Sequence, residues 1–250
     1  SGYNLTILVR FARRLFVKLS RYTALLASSG MVLSFIAITG MSPSMSRAGL
    51  VTGLSLLAWY YGRKFHPIVL LTVAAAVTVI INPSYAWGDI GWQLSFAAFS
   101  GVMILAPLLQ RYFFGESKPG TIRQILGETI AAQIATLPII IVAFGAFSNV
   151  ALIGNMMILP LVPLAMLLVF MSGIIALSIP AISIIIAAPT TWLLGYMTTV
   201  AQQLASIPWA MTGLTVGGWF MALSYLLLVG ICFFLWRRTG LDLRNSNIIE

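Results

Sequence analysis

The chain has 250 residues, 60% of them hydrophobic and only 8% charged, with 14 basic and 5 acidic side chains giving a net charge of +9. Soluble globular domains carry about a quarter charged residues, so a water-soluble fold is excluded and the chain is read as lipid-embedded. Backbone polar groups in lipid must be satisfied within helices or a closed barrel. The apolar runs at 23–40, 67–81 and 219–236 do not alternate as barrel strands do, which leaves helices.

In chain order, residues 1–11 (SGYNLTILVRF) are apolar but too short to span, and read as the inner half of a helix whose outer half lies upstream. The chain opens Ser1-Gly2-Tyr3 without an initiator Met or a secretory signal, as a piece of a longer protein would. Spanning helices are predicted at 23–41, 46–62, 66–82, 92–113, 121–144, 159–178, 181–206 and 216–236. The stretch 147–158 is too short to cross twice and reads as a re-entrant or interfacial segment. Basic clusters lie before the first span (Arg10, Arg13, Arg14, Lys18, Arg21), after the second (Arg63, Lys64), between the fourth and fifth (Arg111, Lys118, Arg123) and after the last (Arg237, Arg238, Arg244). With eight crossings all of these fall on one side. The positive-inside rule makes that side cytoplasmic, together with both termini. The expectation is an all-α, polytopic transmembrane bundle of about eight spans, forming a single membrane-embedded domain over residues 1–250.

Polar residues at membrane depth are functional candidates, because they cost most there. Pro43 ends the first span in a tight turn, and Ser44 is placed to cap the next helix. Arg47, in that helix's first turn, stands apart from the inner clusters. It reads either as a snorkelling or Asp89-paired side chain or as an anion site, for which its planar charged fork is suited. Asp89 is the one acid expected on the outer side, in a loop with Tyr85, Trp87 and Trp92. It caps the helix that follows, or acts as partner or gate, while the aromatics form an interfacial belt or a stacking surface. Gln93 and Ser95, a turn into an apolar helix, read as pore or packing residues.

Gln133 sits mid-span, and Pro138 is expected to break its helix a turn later and free carbonyls toward a water-filled cavity. Glu128 reads as a partner for Arg123. Asn155, with Asn149 before it, falls in the re-entrant candidate, and Pro160 and Pro163 again mark irregular backbone. Asn155 either lines a path or bonds between helices.

Catalytic and cofactor motifs are not found. His66 has no second His or Cys cluster for a metal, and neither HExxH nor GxSxG occurs. Gly115 and Gly120 have Walker spacing, but Thr121 stands where the phosphate-gripping Lys belongs. Cys232, the single cysteine, reads as a small buried side chain. No enzyme and no cofactor are expected.

Five motifs in order resemble the competence domain of ComEC-type DNA-uptake channels over about residues 1–180. They are the opening SG-YN-L, the Gly-x-x-Pro-Ser-x-x-Arg-Ala turn at 40–48, the NP…GWQLSFAA run at 82–98, AAQIATLP at 131–138 and the Phe-Gly-x-Phe-Ser…Asn run at 144–155. Tyr3-Asn4 stand where the family more often has Leu-His. The resemblance implies a multi-pass domain of the bacterial cytoplasmic membrane that passes one DNA strand inward during natural transformation. Its implied partners are single-stranded DNA, the lipid bilayer, a DNA receptor and an ATP-driven motor. Fuller members also carry an oligonucleotide-binding domain and a metallo-β-lactamase-like nuclease domain, neither of which is in this chain.

A strand path would take Arg47, Ser44, Trp92, Gln93, Ser95, Gln133 and Asn155, with Asp89 and Trp87 as outer partner or gate and Pro43, Pro138 and Pro160 as helix breaks. Two other classes fit the residues: a secondary transporter for a small anionic solute, built on the Pro-broken helices, and a non-transporting anchor or scaffold.

Overall fold

A computed structural model describes residues 20–40, 43–62, 66–117, 120–178 and 180–241, together with Leu5, Val9, Ala12, Arg13 and Phe16. Arg10, Arg14, Lys18, Arg63, Lys64, Lys118 and Arg244, and the side chains of Pro43 and Ser44, lie outside the described part. The described chain is mostly helical. Its elements are α1 (Arg21–Thr39), α2 (Pro43–Tyr60), α3 (Pro67–Ile81), the short α4 (Ser84–Gly88), α5 (Ile90–Ser100), a π turn (Gly101–Leu105) and α6 (Ala106–Phe114). There follow α7 (Thr121–Phe144), β1 (Ala146–Ser148), α8 (Ala151–Ile158), a 3₁₀ turn (Leu159–Leu161), α9 (Val162–Ser178), α10 (Pro180–Ala205), β2 (Met211–Gly213) and α11 (Gly218–Thr239).

Five helical segments among the described residues are long and apolar enough to cross a bilayer: Arg21–Ile38, Ile90–Phe114, Ile122–Phe144, Ala151–Ser178 and Gly218–Thr239. The chain is therefore a membrane protein. Its outward faces agree, since Leu226, Leu227 and Val229 of α11 are all well exposed, as lipid-facing side chains are. The helix ends follow from local chemistry. Ser20 accepts the Thr23 N–H at the start of α1, and His66 Nδ1 accepts the Ile68 N–H at the start of α3, which gives His66 a structural task. Gly145 and Gly240, both left-handed, close α7 and α11.

Two local expectations change. Pro43 is the first residue of α2, so Ser44 falls inside the first turn and not at the cap. Pro138 does not end its helix: α7 runs on to Phe144, because only the bond to the Ile134 carbonyl is lost and the buried ring is packed by its neighbours. Pro160 does mark a change, sitting in the 3₁₀ turn that joins α8 to α9. The segment expected to be re-entrant is β1 followed by α8, which continues through that turn into α9.

Packing links the helices in sequence. Leu5 and Val9, one helical turn apart, are buried with Val32 of α1 and Ala48 and Leu56 of α2. Val51 of α2, Leu70 and Ala74 of α3 and Phe96 of α5 make a second cluster. Leu105, Ala106 and Leu108 join Ala131 of α7 and Leu235 of α11 in a third. In lipid such clusters gain from close contact and not from leaving water, so small residues matter. A Cβ on Gly101 would stand 2.5 Å from the Ala131 carbonyl oxygen, so the π turn and α7 touch backbone to backbone.

The all-α expectation misses a two-stranded antiparallel ribbon, in which Ala146, Phe147 and Ser148 of β1 face Gly213, Thr212 and Met211 of β2. It pairs the backbone polar groups of two loops that have no helical partner for them. Asn149 fastens it, its Nδ2 donating to the Trp209 carbonyl at 2.8 Å and to the Thr212 hydroxyl at 2.7 Å.

Candidate functional site

α7 carries polar residues along one face. Glu128, Thr129, Ala132, Gln133, Thr136 and Ile140 recur at three- to four-residue steps and so point the same way. This face lines a groove of about 820 Å³, closed by Ala98 of α5, Val102 of the π turn, β1, and Asn155 of α8. Gln133 and Asn155, far apart in sequence, are thus brought together. Among the described residues neither side-chain amide has a hydrogen-bond partner, so both are available to an occupant. The opposite face of α7 is buried: Ala131 and Ala135 meet Gly101, and the Tyr225 hydroxyl of α11 donates to the Ala135 carbonyl at 2.9 Å.

Glu128 differs from expectation. Arg123 turns to the preceding loop, donating to the Ser117 carbonyl at 3.0 Å and hydroxyl at 3.2 Å and lying over the Phe114 ring. Glu128 instead accepts from Gln124 Nε2 at 2.8 Å. The reason is helical spacing, since residues four apart are neighbours and residues five apart are not. Glu128 is the one charged residue among those that line the groove.

The other expected site residues lie across α5. Arg47 is 8% exposed, and its Nη1 donates to the Ser95 carbonyl at 3.0 Å. The guanidinium stands 5.1 Å from the Phe99 ring centre and 5.9 Å from that of Phe96. Its Nε has no hydrogen-bond partner, and it forms no ion pair with Asp89; among the described residues the ion pair is Arg111–Glu116. Asp89 caps α5, its Oδ1 accepting the Trp92 N–H at 2.7 Å. Trp92 packs against Phe96, the ring centres 4.5 Å apart and the planes tilted by 38°, and donates its indole N–H to the Thr78 hydroxyl at 2.9 Å. Gln93 Nε2 donates to the Ala86 carbonyl at 3.0 Å, tying α4 to α5. Trp87 is almost fully exposed.

The groove face of α5 is Ala98, continuing to Val102, whereas Arg47 meets Ser95, Phe96 and Phe99. The expected path residues therefore divide into two sets, Gln133 and Asn155 on the groove and Arg47, Trp92, Gln93 and Ser95 gathered at α5 away from it. Sequence reasoning missed Phe144, Phe147 and Ser148, which also line the groove. The signal was the 3.6-residue recurrence of polar groups down α7, read from Glu128 through to the strand.

A family model described as competence protein matches residues 1–239. ComE operon protein 3 of Bacillus subtilis (strain 168) is 24% identical over 147 residues, which cover 59% of this chain and 18% of that protein. The chain thus aligns with about a fifth of that relative's length. No solved structure matches.

Proposed function

This chain belongs to the competence protein family, and from that premise we propose that it forms a channel passing a single strand of DNA across the bacterial cytoplasmic membrane during natural transformation. The observation that supports the reading is the groove of about 820 Å³ along α7, where two unpaired amides, hydroxyls, one carboxylate and apolar side chains line one cavity beside a helix long and apolar enough to cross a bilayer. A polar strand needs such a wall, because unsatisfied polar groups at this depth are costly.

The proposed topology has eight crossings with both ends cytoplasmic. α2, α3 and α10 supply the three crossings beyond the five long apolar segments. Two contacts support it. The β1–β2 pairing needs the ends of α7 and α10 on one side, and the Arg47–Ser95 bond needs the starts of α2 and α5 on one side. On this reading Arg13, Arg123, Arg237 and Arg238 all lie over aromatic rings at the inner boundary.

Moving phosphates inward against a negative-inside potential costs about 2.3 kcal/mol per charge per 100 mV. The proposal therefore requires an ATP-driven motor on the inside and a DNA receptor outside, with nuclease and oligonucleotide-binding functions supplied by other domains or proteins. Gln133 and Asn155 touch the strand in this scheme. Arg47, Trp92 and Gln93 hold α2, α3 and α4 onto α5. A small anionic solute is a poorer occupant, since the groove offers it a carboxylate and no cation among its lining residues.

The test is transformation. The gene encoding this chain is placed in a naturally competent bacterium lacking its own channel, and membrane levels are matched. Wild type is expected to restore recombinants, and Gln133→Leu and Asn155→Leu to lower them about tenfold or more. Arg47→Gln is expected to lower protein level along with uptake. Full recombinant yield from both groove variants would remove the groove from the path.

A further inference from the structure

The groove's chemistry has a direction along α7. At one end Phe144 and Phe147 present rings, in the middle Gln133 and Asn155 present unpaired amides, and toward the other end Glu128 presents a carboxylate. No Lys or Arg is among the lining residues. Phosphate tracking along a single strand is the work of cations, and its signature is steep salt dependence. This wall has the opposite character: flat rings on which any base stacks, amides that donate to and accept from base edges, and a negative charge that repels phosphate.

We propose that the groove takes the strand by its bases, which face α7, with the phosphates turned to the groove's open side away from Glu128. Phe144 and Phe147 are the stacking surfaces, and Gln133 and Asn155 bond base edges without choosing among them, since an amide can present either its donor or its acceptor. Glu128 sets the orientation of the strand by excluding its phosphates from the wall. This rests on the strand-conducting reading above and names the part of the strand that is recognised.

The experiment measures binding by fluorescence polarisation, using the whole protein in lipid nanodiscs and three labelled twelve-residue probes. One is single-stranded DNA, one carries the same bases on an uncharged morpholino backbone, and one is an abasic sugar-phosphate strand. The uncharged probe is expected to bind within about threefold of DNA or more tightly, and the abasic strand at least tenfold more weakly. The affinity for DNA is expected to change little between low and high salt. Glu128→Gln tightens DNA severalfold and leaves the uncharged probe unchanged, whereas Gln133→Leu weakens both. The wild-type ranking alone decides the matter if a variant fails to fold. Abasic and normal DNA binding equally, with a steep salt dependence and no binding of the uncharged probe, overturns the base-facing orientation and leaves the channel intact. A well-dispersed protein that binds none of the three overturns the strand-conducting reading itself.

Discussion

At Trp92 a polar N–H is carried into an apolar cluster and given a partner there. The indole donates to Thr78, whose hydroxyl also bonds the Ala74 and Ala75 carbonyls of its own helix. Thr78→Val leaves the half-buried indole donor without this partner, at about 1 kcal/mol, between the average of about 0.6 for such bonds in membranes and the larger cost of a fully buried orphaned donor. Trp92→Phe is expected to cost less at this bond, because Thr78 keeps its two carbonyls. Thermal melts of the detergent-purified variants check the order, and equal melting for both would show that the bond contributes nothing. Asp89 as a cap was legible in the sequence, because an acid just before an apolar helical run has one nearby use. The Glu128–Arg123 pair was misread for an equally local reason, five residues being the wrong spacing. That Gln133 and Asn155 share a wall was not legible, since it depends on which helix faces meet. In the link between α6 and α7, Glu116 is exposed, and its hydrogen bond to Arg111, then the Arg111 charge, holds it below the usual carboxylate range. Any stability from this pair is present at neutral pH and lost as pH falls through the lowered value, and its exposure keeps it small.

The ribbon is the element that periodicity could not announce, because three-residue strands carry no pattern to read. Its register nonetheless permits a sharp test. Leu214 N–H bonds the Gly145 carbonyl and Asn149 N–H bonds that of Ala210, so Ser148 and Met211 form a non-hydrogen-bonded pair between these bonds. Such pairs bring Cα atoms to about 4.5 Å, within disulfide range. In a Cys232→Ser background, Ser148→Cys with Met211→Cys is expected to cross-link on oxidation. If the ribbon is a fixed rim of the groove, transformation by the cross-linked protein stays within about twofold of the reduced form. Loss on oxidation and return on reduction would make the ribbon a moving part. The long helices, in contrast, were legible almost to their ends, because about 20 apolar residues in lipid have few other structures open to them.

For the whole molecule the decisive quantity is sidedness. Trp87, almost fully exposed, lies on the proposed outer side, and exposed Glu116 on the inner side. With Cys232→Ser as background, Trp87→Cys is expected to react with a membrane-impermeant thiol reagent on intact cells, and Glu116→Cys only after the cells are opened. The reverse result would invert the orientation drawn from the basic clusters. Composition established the membrane, and charge placement proposed the orientation. The division of polar residues by α5 could come only from the packed bundle.

The π turn at Gly101–Leu105 has a consequence for length. A π turn holds one residue more than the α-helix it interrupts, so the helical rod from Ile90 to Phe114 contains slack at one known place. Deleting Val102 takes up that slack. The flanking stretches keep their phase, Leu108 stays against Leu235, and only the local bulge beside the groove is lost. The same single-residue deletion in the regular part of α7 has no slack to draw on and turns everything beyond it by about 100°. Of all single-residue losses in these two helices, the one at the π turn is expected to leave a protein that still inserts and melts cooperatively, with a reshaped groove wall as its only mark.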